Sequence, residues 1–316
     1  MPSFELTDDH PLYNPLSLFL RTSEIDRLSE TLTQWLWTGQ TGGFIKGKPR
    51  VGKSTALKML ADQLHTRTGK PIPSHVFTVP PRDKGTIQAI YRNLCISADI
   101  KLTSSRLRNT DALFEDFFHY LMDMALITKS KRVLLFVDEM QRLTVDQIEV
   151  FAELHDLAGE RDVLLTVVFT GNDTQCDKLI ERIKTKEREL VHKRFFTQEL
   201  SFSGLRSLKD VRDCLGQYDK LRFPTQTGPT YTQAVLPDEF ASGFRLKSLA
   251  SIIWGVFRDH QRALKLEAWA MKYFTTAIST LLVDYLPEFG VDNFCEETVE
   301  RCIEVSGLIP SVVEEI

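Results

Sequence analysis

An α/β domain with a parallel sheet in three layers, followed by a smaller helical domain, is the fold class this sequence predicts. Three observations carry the expectation. Apolar runs of strand length alternate with helical periodicity up to about residue 205. Two of those runs, Lys131 to Glu139 and Val163 to Phe169, are apolar on both faces, as central parallel strands are. From Asp238 onward the pattern is helical almost to the end.

The elements follow in order. Residues 1–40 begin with Pro2, Pro11 and Pro15 and turn helical at Thr22-Ser23-Glu24-Ile25, where a hydroxyl cap precedes Ile25, Leu28, Leu32 and Trp35. Gly43-Phe44-Ile45-Lys46 reads as a short strand, and Thr55 to Leu64 as a helix with Leu57, Leu60, Ala61 and Leu64 on one face. His75 to Val79, between Pro73 and Pro80-Pro81, is a β-branched run and a second strand. Helices are expected from about Thr86 to Ala98, Asp111 to Lys129 and Asp146 to Ala158, interleaved with the two all-apolar strands. Leu208 to Leu221 reads as helix, and residues 222–237, with their prolines and threonines, as a loop or loose hairpin. Leu246, Leu249, Ile253, Val256 and Phe257 mark one face of the later helices. The organisation expected is an N-terminal segment over 1–40, an α/β core over 41–205, a connecting helix and loop over 206–237, a helical domain over 238–283 and a tail over 284–316.

Composition excludes some function classes. The chain has 316 residues, a formal net charge of −4 and ordinary apolar content, enough for a large core. No run approaches the roughly 20 apolar residues that span a bilayer, so no membrane partner is expected. Met1-Pro2-Ser3-Phe4-Glu5 shows no basic region leading into an apolar one, so no signal peptide is expected and the reading is cytoplasmic. The cysteines at 95, 176, 214, 295 and 302 are odd in number and form no C-x-x-C pair, which suggests neither a disulfide framework nor a zinc site. The mild acidity gives no global nucleic-acid signal, but local basic stripes decide that question.

Two motifs carry chemistry. Gly47-Lys48-Pro49-Arg50-Val51-Gly52-Lys53-Ser54-Thr55 is the P-loop pattern, flanked by a strand and a helix. Glycines at 47 and 52 let the backbone turn and approach an oxygen-rich ligand, and the helix that follows presents free N–H groups and a positive dipole end. Lys53 supplies a cation for the β- and γ-phosphates and Ser54 a hydroxyl for Mg²⁺. Gly47, Pro49, Arg50, Val51, Gly52, Lys53, Ser54 and Thr55 are therefore the candidate nucleotide-binding residues. A ligand-free glycine turn on the surface is the plain alternative. The second motif is Asp138-Glu139 at the tip of the apolar strand, in the Walker B arrangement. Asp138 is placed on the metal side with Ser54, and Glu139 is the candidate base that polarises water. An acidic pair at a strand end is commonly just solvated; the P-loop upstream gives this one its meaning.

With these motifs, Leu135-Phe136-Val137-Asp138-Glu139-Met140-Gln141-Arg142-Leu143 and Val167-Val168-Phe169-Thr170-Gly171-Asn172, the chain resembles AAA+ ATPases over roughly residues 20 to 275. It is most similar to the initiator-like branch that includes the transposition regulators TnsC and MuB, and its compact length resembles the TnsC family of CRISPR-associated transposons. The resemblance implies an AAA+ three-layer αβα domain with a helical lid, and ATP with Mg²⁺ as ligands. It implies Asn172 as sensor 1, Arg245 as sensor 2 and Arg194 as a finger reaching the neighbouring subunit's ATP, with Arg188 and Arg182 as rivals in a basic stretch that could equally be a solvated face. It implies that Leu18 to Glu24 packs over adenine. It further implies assembly with itself as a ring or filament on duplex DNA, contacted without sequence preference through Arg82, Lys84, Thr103, Arg106 and Arg108, and partnership with a targeting protein and a transposase. The acidic end Val312 to Ile316 could recruit the transposase or simply fray. A replication initiator or helicase loader is the second reading, disfavoured by the few residues after the lid. A signalling NTPase that recruits proteins without DNA is the third.

Overall fold

Five parallel strands form one sheet among the described residues, in the order β2-β3-β4-β1-β5. The computed structural model describes residues 6–15, 18–81, 85–103, 109–185 and 188–309. They divide into two compact units. The α/β unit comprises Arg27–Lys48 and Lys53–Phe202. Its elements in chain order are α1 (Ser23–Thr38, from Arg27 onward), β1 (Gly42–Lys46), α2 (Lys53–Leu60), β2 (Ser74–Thr78), α3 (Ile87–Ser97), α4 (Thr110–Thr128), β3 (Arg132–Asp138), α5 (Val145–Glu160), β4 (Leu164–Gly171), α6 (Asp173–Ile183), α7 (Glu189–Phe195) and β5 (Glu199–Ser201). This is the three-layer α/β fold expected.

Strand position follows from residue type. Val133 to Val137 in β3 and Val167, Val168 and Phe169 in β4 are completely buried, so both strands take interior places. β2 alternates between buried and partly exposed residues and sits at an edge. β5 is a three-residue strand that the sequence pattern did not reveal; it covers the other edge by pairing Phe44, Ile45 and Lys46 with Glu199, Leu200 and Ser201. Helix starts are chemically marked. Asn109 accepts from the N–H groups of Asp111 and Ala112 at the start of α4, and Thr144 with Gln147 forms a capping box on α5. The helix expected to reach Leu64 stops at Leu60, though Leu64 is still buried.

One polar residue inside this unit sets a pH dependence. His75 is buried edge-on against Phe117 and Tyr120. Its Nε2 lies 2.8 Å from Ser97 Oγ and its Nδ1 3.1 Å from Tyr120 Oη. Ser97 already donates to the Leu94 carbonyl, so its oxygen takes the Nε2 proton and Nδ1 accepts from the tyrosine. Burial pushes the imidazole down to about 4. The folded state therefore binds fewer protons than the unfolded one, whose histidine titrates near 6.5. Stability is full above pH 6.5 and is lost as pH falls towards 4, by up to roughly 3 kcal/mol. A His75→Asn variant should show a shallower fall in melting temperature between pH 7 and 4.5 than the parent; parallel curves would refute this.

The second unit comprises Met1–Asp26, Pro49–Gly52 and Ser203–Ile316. It holds α8 (Leu208–Tyr218), α9 (Tyr231–Val235), α10 (Pro237–Ala241), α11 (Ala250–Ala263), α12 (Met271–Thr280), α13 (Leu286–Phe289) and α14 (Glu296–Val305). Helix α9 corrects the expected loop: Thr230 and Gln233 form a capping box in the middle of the proline-rich stretch. Pro237 then opens α10 at a position where its missing N–H costs nothing. The core of this unit is built around Trp269, stacked on Phe257 at 4.3 Å, with Tyr218, Phe274 and Leu215. Leu12, Leu18 and Leu20 join the same core. Ser23 donates to Asp210, and Arg206 pairs with Glu24 at 2.6 Å.

Candidate active site

The parallel register brings the chemistry to one edge. Lys46 at the end of β1 stands beside Gly171 at the end of β4, and Val137 of β3 stands beside Phe169. Asp138, Thr170 and the turn at Asn172 therefore cluster at the carboxyl ends of the interior strands, where open α/β sheets bind ligands.

The glycine loop leaves β1 at this edge. A Cβ on Gly47 would lie 2.1 Å from the Phe202 carbonyl oxygen, so glycine is demanded there by the chain's own backbone. Gly52 has φ +104°, a conformation that side chains rarely adopt. Arg50 also has positive φ; its guanidinium meets the Tyr273 hydroxyl and ring, and its carbonyl accepts from Lys272 N–H at 3.2 Å, all within the second unit. Val51 is buried, and Lys48 and Pro49 are exposed. Helix α2 then starts at Lys53, so the N–H groups of Lys53, Ser54 and Thr55 are among its four unsatisfied donors.

Lys53 curls back so that Nζ donates to the carbonyls of Gly47 at 2.5 Å and Lys48 at 2.8 Å. Burial holds its proton affinity below the usual lysine range, and Asp173, Asp138 and Glu139 pull it back up. Ser54 Oγ donates to Asp138 Oδ2 at 2.5 Å. The other oxygen of Asp138 accepts from the Thr170 hydroxyl and, at 3.0 Å, from Glu139 N–H. Asp138 is buried. Glu139 adopts a left-handed conformation (φ 62°, ψ 39°), uncommon for a non-glycine residue and found preferentially at functional sites. Its Oε2 accepts from Gln141 Nε2 at 2.8 Å and pairs with Arg142 at 3.1 Å. Asn172 is the N-cap of α6; its N–H donates to Gln141 Oε1 at 3.3 Å, and its side chain makes no capping bond.

The donor set suits a magnesium–triphosphate unit. A partly buried ammonium hydrogen-bonded, among the described residues, to two backbone carbonyls suits an incoming anion. Ser54 and Asp138 are adjacent hard oxygen donors, the type Mg²⁺ prefers when it keeps waters and phosphate oxygens in its shell.

The remaining predicted residues fall elsewhere. Arg194 pairs with Asp156 at 2.9 Å and donates to the Ala152 carbonyl at 3.2 Å. Arg188 pairs with Asp146 and Glu149. Arg182 is exposed on α6 and has no ion-pair partner among the described residues. Arg245 lies over the Phe240 ring at 3.7 Å and donates to the Phe240 and Phe244 carbonyls, within its own unit. Thr103 is exposed; Arg82, Lys84, Arg106, Arg108 and the tail from residue 310 lie outside the described residues. Thr170, Gln141 and Arg142 contribute to the site without having been singled out from the sequence. The available signal was polar side chains placed immediately after two all-apolar strands.

Comparison with known proteins agrees with this geometry. The family model described as an AAA domain matches residues 37–180. No curated protein matches the chain. The fold is similar to the Aeropyrum pernix ORC2 protein in its ADPNP–ADP complexes, with a TM-score of 0.62 and 13% identity over 96% of this chain and 73% of that one. A Walker-type ATPase of Pyrococcus abyssi (TM-score 0.47, 16% identity, 95% and 76% covered) and Cdc6p of Pyrobaculum aerophilum (0.46, 14%, 96% and 84%) are more distant matches. No described helix is long and apolar enough to cross a membrane. The AAA-domain match, which covers residues 37–180, agrees with the glycine loop and the acidic strand tip in marking that segment as a domain of the P-loop ATPase type.

Proposed function

We propose that this chain is an ATP-dependent regulator that assembles on duplex DNA and links selection of a target site to recruitment of a transposase. The observation that carries its ATPase half is the convergence of Lys53, Ser54, Asp138, Glu139 and Asn172 at one sheet edge. Lys53 exchanges its carbonyl partners for phosphate oxygens. Ser54 and Asp138 would hold Mg²⁺, which supplies charge neutralisation on the phosphates. Glu139 accepts the proton of the attacking water, Asn172 orients that water, and Arg245 is the residue assigned to the sensor 2 role. Leu18 to Glu24 is assigned to the adenine side.

Assembly follows if an arginine completes the site in trans. Arg194 is the residue assigned to that role, and its ion pair with Asp156 is partly exposed, so releasing that pair costs about 1 kcal/mol or less. Arg182 needs no release. The DNA-facing residues are assigned to Arg82, Lys84, Thr103, Arg106 and Arg108, and the acidic tail to the transposase. An initiator-type role is the second reading, supported by the fold it shares with ORC2.

Electron microscopy and a salt titration on duplex DNA test this reading together. Ordered oligomers should form on DNA with a slowly hydrolysed ATP analogue and not with ADP. Reversing Arg106 and Arg108 to Glu should lower the salt slope of binding by about 2 and leave ATP affinity unchanged. Binding equal to the parent at every salt concentration would reject that patch, and absence of DNA-dependent assembly would reject the reading.

A further inference from the structure

The amide of Gln141 stands between the two halves of the hydrolytic apparatus. It lies on the short 3₁₀ turn Met140–Arg142, which Glu139 launches through its left-handed backbone. Nε2 donates to Glu139 Oε2 at 2.8 Å. Oε1 accepts from the N–H of Asn172 at 3.3 Å and lies 3.6 Å from Cys176 Sγ. Only one orientation of the amide satisfies both ends. A carboxylate oxygen needs a donor and a backbone N–H needs an acceptor, so a flipped amide would lose both bonds. The surroundings leave the side chain little freedom. A Cβ on Gly171 would sit 2.5 Å from Oε1 and 2.3 Å from Cys176 Sγ. Arg142 grips the same oxygen of Glu139 at 3.1 Å and anchors itself on the Val79 carbonyl at 2.7 Å. Glu139 thus has one oxygen tied by two donors, while Oε1 has no protein partner among the described residues.

We infer that Gln141 is a positioning residue for ATP hydrolysis: it fixes the Glu139 carboxylate and the Asn172 turn in one frame, so that Oε1 of Glu139 meets the water that Asn172 orients. This rests on Glu139 being the base. Fixing a base by hydrogen bonds acts on the chemical step and not on phosphate binding, because Lys53, Ser54 and Asp138 make none of these contacts.

Two substitutions separate this from a packing role. Gln141→Leu removes both bonds at similar volume and should lower kcat about 10-fold or more, with ATP-analogue affinity and melting temperature near those of the parent. Gln141→Glu keeps the acceptor towards Asn172 but sets a second carboxylate against Glu139. Its kcat should fall at least as far at pH 8 and recover relative to the parent as pH drops to 6, because a proton shared between two carboxylates restores the lost donor. Gln141→Leu should show no such recovery. A kcat within twofold of the parent in both variants, or above it, overturns the inference, as does a loss confined to affinity or melting temperature. Glu139→Gln, measured alongside, separates the failures. If it is slow while the Gln141 variants are not, only the positioning role falls; if it turns over at the parent's rate, the assignment of the base itself fails.

Discussion

Replacing Glu139 by Gln is expected to leave ATP binding intact and to slow hydrolysis about 10²- to 10⁴-fold. Gln is nearly isosteric with Glu, so the backbone at φ 62° and the turn that follows have no reason to move. What changes is chemistry: an amide cannot take a proton from water. Phosphate and Mg²⁺ binding are assigned in the proposal to other residues, Lys53 at the loop and Ser54 with Asp138 at the strand tip, none of which the substitution touches. Single-turnover hydrolysis measured beside equilibrium binding checks this. Parent-like turnover in the variant would remove Glu139 from its role.

Replacing Lys53 by Ala should act at the earlier step, weakening ATP binding about 100-fold or more. The estimate follows from losing two charge-assisted hydrogen bonds of roughly 1.5–3 kcal/mol each. Burial lowers the proton affinity of the ammonium, so it has less water to shed on meeting phosphate than an exposed lysine would. Its present partners are backbone carbonyls that remain after substitution, so the fold should survive the change. A retained dissociation constant would count against the cradle.

Much of this was legible because the signals were local. The strands β3 and β4 announce themselves by being apolar on both faces, and interior places in a parallel sheet are where such strands belong. The loop from Gly47 to Thr55 and the pair Asp138-Glu139 are contiguous patterns with fixed chemistry. What was hidden depends on partners distant in sequence. Gly47 is glycine because the Phe202 carbonyl passes beside it, which no local pattern shows. Thr170 meets Asp138 because β3 and β4 pair in one register, and a slip of one residue would turn it away. Gln141 reaches Asn172 only after the left-handed step at Glu139. β5 has three residues, too few to show alternation, and α9 hides its capping box among prolines. The pairing of Arg194 with Asp156 likewise depends on how α7 meets α5.

Titration calorimetry of a slowly hydrolysed Mg–ATP analogue into the parent, Lys53→Ala and Glu139→Gln, under one set of conditions, bears most directly on whether loop and strand tip form a single triphosphate site. Comparable affinity for the parent and Glu139→Gln, with heat of binding lost in Lys53→Ala, is the predicted pattern. Undiminished binding by Lys53→Ala, or none by the parent, would contradict it.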